Sequence, residues 1–289
     1  MIESAPLPTV GALSPPLKWA GGKRWLLEHM LRLWTPERDR RLVEPFVGGL
    51  AIVLGLAPQC ALLNDLNRHL IWFYRWLQRG LNMRKFHNVF KNDRGVFEKN
   101  RDRFNELIKS GRWKSREAAA LFYYLNRTCF NGLCRFNADG FFNVPFGQYK
   151  KIAYRADFEP YRRALEPYEF MSEDFEELEV QPHDFIYADP PYDVEFTTYS
   201  AGGFAWADQE RLARWLSRHS GPVVASNQAT PRILRLYGNL GFTVRRLSAP
   251  RRISCDGNRD DALEMLAWRN LKHQPRLSNA GNPKTLRLL

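Results

Sequence analysis

The sequence predicts an α/β fold: a mostly parallel, nucleotide-type sheet interrupted by a mainly helical insert that carries a hairpin loop. Three observations support this. Short apolar strand-like runs alternate with amphipathic helical stretches at both ends of the chain. Residues 41–65 hold a strand, a glycine turn, a helix and a second strand ending on an acid, in that order. Between residue 67 and about residue 164 the texture changes to Arg- and Lys-rich helices, after which the α/β pattern resumes.

Residues 1–16 are Pro-rich and aperiodic, and are expected to form a flexible lead-in. Residues 25–34 place Leu26, Leu27, Met30, Leu31 and Leu33 on a short amphipathic helix. Residues 41–46 read as a buried strand entering a turn at Gly48-Gly49, residues 50–56 as a helix, and residues 61–65 as a strand ending on Asp65. Helices are predicted over 74–81, 97–109 and 116–126, and a hairpin or irregular loop over 131–149. A strand over 185–188 runs into Asp189. Then come a helix over 208–219 with Asp208 as N-cap, a strand over 222–227, a helix to Leu240 and a strand over 242–247. Residues from Arg269 onward are basic, polar and expected to fray. The domains expected are a catalytic unit from 17–70 and 165–270, an insert over 71–164, and a tail over 271–289.

Composition narrows the function classes. Lys and Arg total 43 against 31 Asp and Glu, a net charge of +12. That surplus favours a polyanionic partner, and the 9 Trp, 11 Tyr and 19 Phe that accompany it suit bases as well as phosphates. No apolar run approaches a membrane span, and residues 1–10 lack the basic-then-apolar pattern of a signal peptide. Cys60, Cys129, Cys134 and Cys255 form no metal or disulfide pattern, so free thiols in the cytoplasm are expected. The six histidines show no ligand spacing, and no metal is expected.

Four motifs carry chemistry. Asp189-Pro190-Pro191-Tyr192 follows a buried strand, where open α/β sheets place their ligand crevice. An aspartate beside a proline carbonyl can accept both hydrogens of an exocyclic amine, and Tyr192 offers a flat face for a heteroaromatic ring. That equipment makes a delocalised amine nitrogen more nucleophilic; the plain alternative is a surface Asp-Pro turn. Glu44-Pro45-Phe46-Val47-Gly48-Gly49 with Asp65 suits close backbone approach to a ligand and a ribose, although any βαβ unit has glycine turns. Lys18-Trp19-Ala20-Gly21-Gly22-Lys23 could grip a carboxylate or phosphate; equally it fits a helix entry with Trp19 in the core. Residues 126–150 mix Asn, Arg and Gln, the side chains of bidentate purine contacts, with Phe130, Leu133 and Pro145 as candidate wedges. As composition alone that stretch reads as an Asn/Gly-rich loop with buried aromatics.

Taken in order over residues 17–268, these motifs resemble the Dam-type family (the alpha group, with the Asp-Pro-Pro-Tyr tetrapeptide) of DNA adenine methyltransferases, which modify N6 of adenine with S-adenosylmethionine. Residues 124–137 and 142–151 look very like the DNA-reading hairpin of enzymes that methylate GATC, and residues 251–258 resemble a basic loop of those enzymes. The resemblance implies a Rossmann-like methyltransferase sheet with an inserted target-recognition domain, working by base flipping on double-stranded DNA with S-adenosylmethionine and no metal; whether it works alone or within a restriction-modification pair stays open, and a monomer is the default expectation. It implies that Asp189, Pro190 and Tyr192 are catalytic. It implies that Trp19, Lys23, Phe46, Gly48, Asp65, Asp174, Phe175 and Asp189 hold the cofactor, with Asp65 on the ribose. It implies DNA contacts from Lys18, Asn131, Leu133, Arg135, Pro145 and Gln148, with Arg135 on a guanine; the residue types of the 126–150 stretch add Phe130 as a wedge and Asn137 as a base-edge contact.

Two positions depart from the family pattern. Leu50 stands where many relatives have a further glycine, so its side chain is expected either to narrow the cofactor pocket or to point into the core. Gln148 stands where close relatives often carry Arg, which removes a charge-assisted contact and bears on flanking-sequence preference. Two other readings stay open. One is a methyltransferase acting on RNA or on protein glutamine, for which Asn is usual at position 189. The other is a non-catalytic DNA-binding regulator that keeps the fold.

Overall fold

In the computed structural model, which describes residues 13–152, 155–192, 203–249 and 262–272, seven strands form a single sheet. They are β1 (Leu42–Glu44), β2 (Ala61–Asn64), β3 (Tyr168–Met171), β4 (Phe185–Ala188), β5 (Val223–Gln228), β6 (Thr243–Ala249) and β7 (Ala262–Arg269), in the order β3-β2-β1-β4-β5-β7-β6. The first five pair in parallel; β7 runs antiparallel between β5 and β6. The chain winds outward through β1, β2 and β3, then returns to the other side of β1 with β4. The strand order therefore reverses between β1 and β4, and that switch point is where a Rossmann-like sheet opens its ligand crevice.

Eight helices are described: α1 (Leu27–Trp34), α2 (Ala51–Leu56), α3 (Arg68–Gln78), α4 (Arg94–Lys109), α5 (Arg116–Thr128), α6 (Glu159–Leu165), α7 (Trp206–Arg218) and α8 (Pro231–Asn239). Strand side chains alternate between two apolar layers, as the period of 2 requires. Leu42, Leu63 and Val224 join the layer under α1 to α6, while Val43, Leu62, Val223 and Ala225 join the layer under α7 and α8. The helices of the insert share the first of these layers, so Phe104 and Tyr124 belong to the same apolar cluster as Leu42.

Several boundaries differ from the sequence-based expectation, each for a local reason. The helix expected from residue 74 begins at Arg68, because the Asn67 side chain accepts from His69 N and Leu70 N and caps it. Asp208 does not cap α7; it sits one turn inside and accepts from Ala205 N at 2.9 Å. Leu50 precedes α2 in a left-handed conformation (φ 66°) with its side chain fully buried, so it points into the core. Strands β3 and β7 and helix α6 had not been anticipated. Arg269, expected in a frayed tail, closes β7. The lead-in over 1–12, the basic loop at 251–258 and the tail from residue 273 lie outside the described residues.

The 131–149 stretch forms an irregular hairpin. Asn137 N donates to Phe141 O at 2.9 Å and Asn143 N to Arg135 O at 3.3 Å, and isolated bridges join Phe136 to Phe142 and Cys129 to Phe146. Asn105 on α4 binds both backbone groups of Phe142, at 2.8 and 3.1 Å, which fixes the hairpin to the insert.

Candidate active site

The C-terminal ends of β1, β2 and β4 bring acids to the switch point. Asp189 follows β4 directly. Its Oδ1 lies 3.1 Å from Lys23 Nζ and accepts from Ser226 Oγ on β5 at 2.8 Å. Burial raises the Asp189 pKa above the ordinary carboxylate value, against the lowering effect of Lys23 first and the Ser226 hydroxyl second. Lys23 is 4% exposed, donates to Gly21 O at 2.9 Å, stands 4.0 Å from Glu264 Oε2 on β7, and lies 4.5 Å above the Tyr192 ring. One cation thus faces two carboxylates and covers one face of an aromatic ring.

A third buried carboxyl, Glu44 at the end of β1, is pushed well above its usual value by burial and by Asp189. Glu264 is also raised, chiefly by burial. Burial raises the Tyr192 hydroxyl further, with Asp189 and Glu264 adding to the effect. The Tyr192 hydroxyl and the Glu264 carboxyl interact with each other, whereas Glu44 Oε1 is buried without a hydrogen-bond partner among the described residues. A buried polar atom left without a partner, such as Glu44 Oε1, is a place where a polar ligand could bind.

Asp65 follows β2, half-buried, accepting from Gly48 N at 3.1 Å and Asn67 N at 2.9 Å. Burial lifts its pKa to about 6 despite these two bonds. Gly48 needs its missing side chain twice over: its φ is +46°, and a Cβ there would lie 2.7 Å from Trp19 Nε1. The indole of Trp19 therefore rests on the glycine turn, next to Asp65. Phe46, buried Phe175 and Phe204 pack with ring centroids 5.5 to 6.4 Å apart and form an apolar wall after β1. Asp174, at the rim, is held by Arg211 at 2.8 and 3.2 Å, and Arg211 lies 4.5 Å over the Phe175 ring.

The tetrapeptide is braced from behind. Buried Gln209 on α7 donates to the Pro191 carbonyl at 2.8 Å, and its own carbonyl accepts from buried Asn227 at 2.9 Å. Pro190 is buried while Pro191 is exposed. Ser226, Glu264, Gln209, Asn227 and Glu44 had no role assigned from the sequence. The signal they share is a polar residue within or closing an apolar strand or helix face.

The candidate DNA contacts gather on the hairpin and the first loop. Phe130 is 50% exposed, and its N–H donates to Pro145 O at 2.8 Å, so Phe130 and Pro145 sit side by side with exposed Asn131. Gln148 and Asn137 are exposed; Leu133 is half-buried against the core. Arg135 is half-buried, with Nε donating to Asn143 Oδ1 at 2.9 Å. Lys18 Nζ lies 3.4 Å over the Tyr149 ring and donates to Arg127 O at 3.3 Å; its pKa is lowered, by burial first and Arg127 second. Burial raises the thiols of Cys129 and Cys134 to about 12, which keeps them unreactive.

A family model described as D12 class N6 adenine-specific DNA methyltransferase matches residues 19–251. A DNA N-6-adenine-methyltransferase of Escherichia phage P1 is 38% identical over 257 residues, 83% of this chain and 33% of that protein. A type II methyltransferase of Lactococcus lactis subsp. cremoris is 36% identical over 259 residues, covering 83% of this chain and 89% of its own length. A DNA adenine methylase of Vibrio cholerae serotype O1 is 37% identical over 269 residues, covering 87% and 94%. The chain thus spans about a third of the phage protein and most of the other two.

Proposed function

The chain belongs to the D12 class of N6 adenine-specific DNA methyltransferases, and on that premise we propose that it methylates N6 of an adenine flipped out of duplex DNA, at GATC, using S-adenosylmethionine. The observation that carries this reading is the acid cluster at the switch point: Asp189 and Glu264 face Lys23 beside the Tyr192 ring, and buried Glu44 lies close enough to Asp189 to feel its charge. A surplus of buried acceptors suits a ligand with two cationic centres, an ammonium and a sulfonium. The fit extends along the crevice. Asp65 would accept the ribose hydroxyls, the wall of Phe46, Phe175 and Phe204 would take the adenine, and Trp19 would floor the turn. When bound, the cofactor supplies an electrophilic methyl group.

The chain's own residues do the rest. The basic surface captures DNA through phosphate contacts and counterion release. Hairpin residues read base edges, each bidentate pair contributing about 1–3 kcal/mol of discrimination. Flipping the adenine costs a few kcal/mol; wedging by exposed Phe130 and stacking on Tyr192 offset it, the stack by about 1–3 kcal/mol. Asp189 and the Pro190 carbonyl accept the two N6 hydrogens and hold the nitrogen's lone pair toward the methyl group. Lys23 and Ser226 favour the ionised, accepting form of Asp189, against the effect of burial. Positioning supplies most of the acceleration. The protein is proposed to act in the cytoplasm as a monomer.

The test is to incubate unmethylated plasmid with protein and S-adenosylmethionine and to map the modified bases. N6-methyladenine confined to GATC is expected, and Asp189→Ala is expected to abolish transfer while DNA binding survives. Near-normal turnover in that variant would overturn the assignment of Asp189.

A further inference from the structure

We propose that Asn126 is a positioning residue that couples DNA reading by the hairpin to cofactor binding by the first loop. The inference rests on the functional reading above and concerns a residue which that reading leaves unused. Asn126 lies in the last turn of α5, 1% exposed. Its Oδ1 accepts from Lys18 N at 2.9 Å, and its Nδ2 donates to Lys18 O at 2.8 Å and to Gly132 O at 3.1 Å. The amide therefore pairs with the Lys18 backbone as a neighbouring strand would. Its second hydrogen holds the hairpin.

Each end of this clamp leads directly to a binding element. Gly132 stands between Asn131 and Leu133, two of the candidate DNA contacts. It adopts φ +66°, and a Cβ there would lie 2.3 Å from Lys18 Cβ, so hairpin and first loop touch with no slack. After Lys18 comes Trp19, whose ring rests on Gly48, and Gly48 N donates to Asp65 at 3.1 Å. Lys18 itself reaches back over Tyr149, whose hydroxyl donates to Cys129 O at 3.0 Å at the hairpin's base. A displacement of Gly132 on engaging DNA must therefore either move the Lys18 backbone or break buried hydrogen bonds. The Trp19 indole, and the glycine turn beneath it, follow that backbone. A brace that served only stability would support both elements without linking their ligands.

The experiment measures S-adenosylhomocysteine affinity of the full chain without DNA and with a saturating unmethylated duplex carrying the mapped site. The ratio is the coupling factor, and linkage requires the same factor for DNA. A wild-type factor of about 10-fold or more is expected, within the usual range for communicating sites. Asn126→Asp sets an acceptor against two carbonyls, and Asn126→Ala removes the clamp. Both should bring the factor to within about 2-fold of unity while each binary affinity stays within about 5-fold of wild type. An unchanged factor in either folded variant overturns the proposal, as does a wild type that binds both ligands independently. A wild type that binds no S-adenosylhomocysteine at all removes the functional reading and this inference with it. If neither variant folds, hydrogen exchange on the wild type decides. Duplex alone should slow exchange of the Lys18 and Trp19 amides, and S-adenosylhomocysteine alone should slow exchange over residues 130–133. Absence of both changes overturns the coupling.

Discussion

Replacing Ser226 with alanine asks whether Asp189 works as an ionised acceptor. The Ser226 hydroxyl, buried on β5, donates to Asp189 Oδ1 at 2.8 Å and is within 2.9 Å of the Tyr187 hydroxyl, which then acts as donor to it. A hydrogen bond to a charged group contributes about 1.5–3 kcal/mol. Since one pKa unit corresponds to about 1.4 kcal/mol, its loss should raise the Asp189 pKa by about 1–2 units. The direction adds to the existing shift, because burial already lifts this carboxyl and Ser226 is one of the two groups that oppose the lift. Lys23 remains 3.1 Å away, so Asp189 still ionises at higher pH. In Ser226→Ala, the acid limb of kcat/KM for methyl transfer should therefore move alkaline by about 1–2 units, with the plateau above it retained to within about 10-fold. The Tyr187 hydroxyl loses its acceptor, so stability should fall by about 1–3 kcal/mol, which a denaturant melt measures separately. A folded Ser226→Ala whose acid limb stays in place would refute the reasoning, since Asp189 ionisation would then not govern the step.

Three further outcomes follow from the same geometry. The Asp65 pKa of about 6 is raised by burial, so in the ligand-free chain this carboxyl favours the folded state at low pH, and that contribution is lost as pH rises through about 6. Ribose hydroxyls donate to its ionised form, so calorimetry should show S-adenosylhomocysteine binding tighten about 10-fold between pH 5 and 8, and Asp65→Asn should flatten that rise; a flat wild-type profile contradicts the ribose role. Leu50→Gly relieves a left-handed leucine, worth about 1–2 kcal/mol, but empties a fully buried site at a cost of about 2–5 kcal/mol, so a net loss of about 0–4 kcal/mol is expected in urea unfolding, and a stabilised variant would show that backbone strain dominates. Arg135→Ala should relax preference at one base pair by about 1–3 kcal/mol in a competition among single-substitution duplexes, whereas an equal loss on every duplex would assign Arg135 to a phosphate.

The parts of the crevice legible in the sequence are those built by adjacent residues. An apolar run ending on Asp65 or Asp189, or a glycine pair after a strand, is a local pattern with a local consequence: it places an acid or an open backbone at the C-terminal edge of a parallel sheet. The hairpin was legible for the same reason, since its contacts, Asn137 to Phe141 and Arg135 to Asn143, close within a few residues. The environment of Asp189 was not legible, because it is assembled from four distant segments: the first loop brings Lys23, β5 brings Ser226, β7 brings Glu264 and β1 brings Glu44. Strand β7 is the most instructive case. Residues 262–268 are Ala, Leu, Glu, Met, Leu, Ala and Trp, a run rich in helix formers. They form a strand because β5 and β6 both offer free edges, and burial on both faces outweighs propensity. Only with that strand in place does Glu264 come within 4.0 Å of Lys23 and turn a simple Lys–Asp pair into a cluster of one cation and two acids. The charge balance of the crevice is thus a property of sheet order, and the reading of an isolated tetrapeptide cannot contain it.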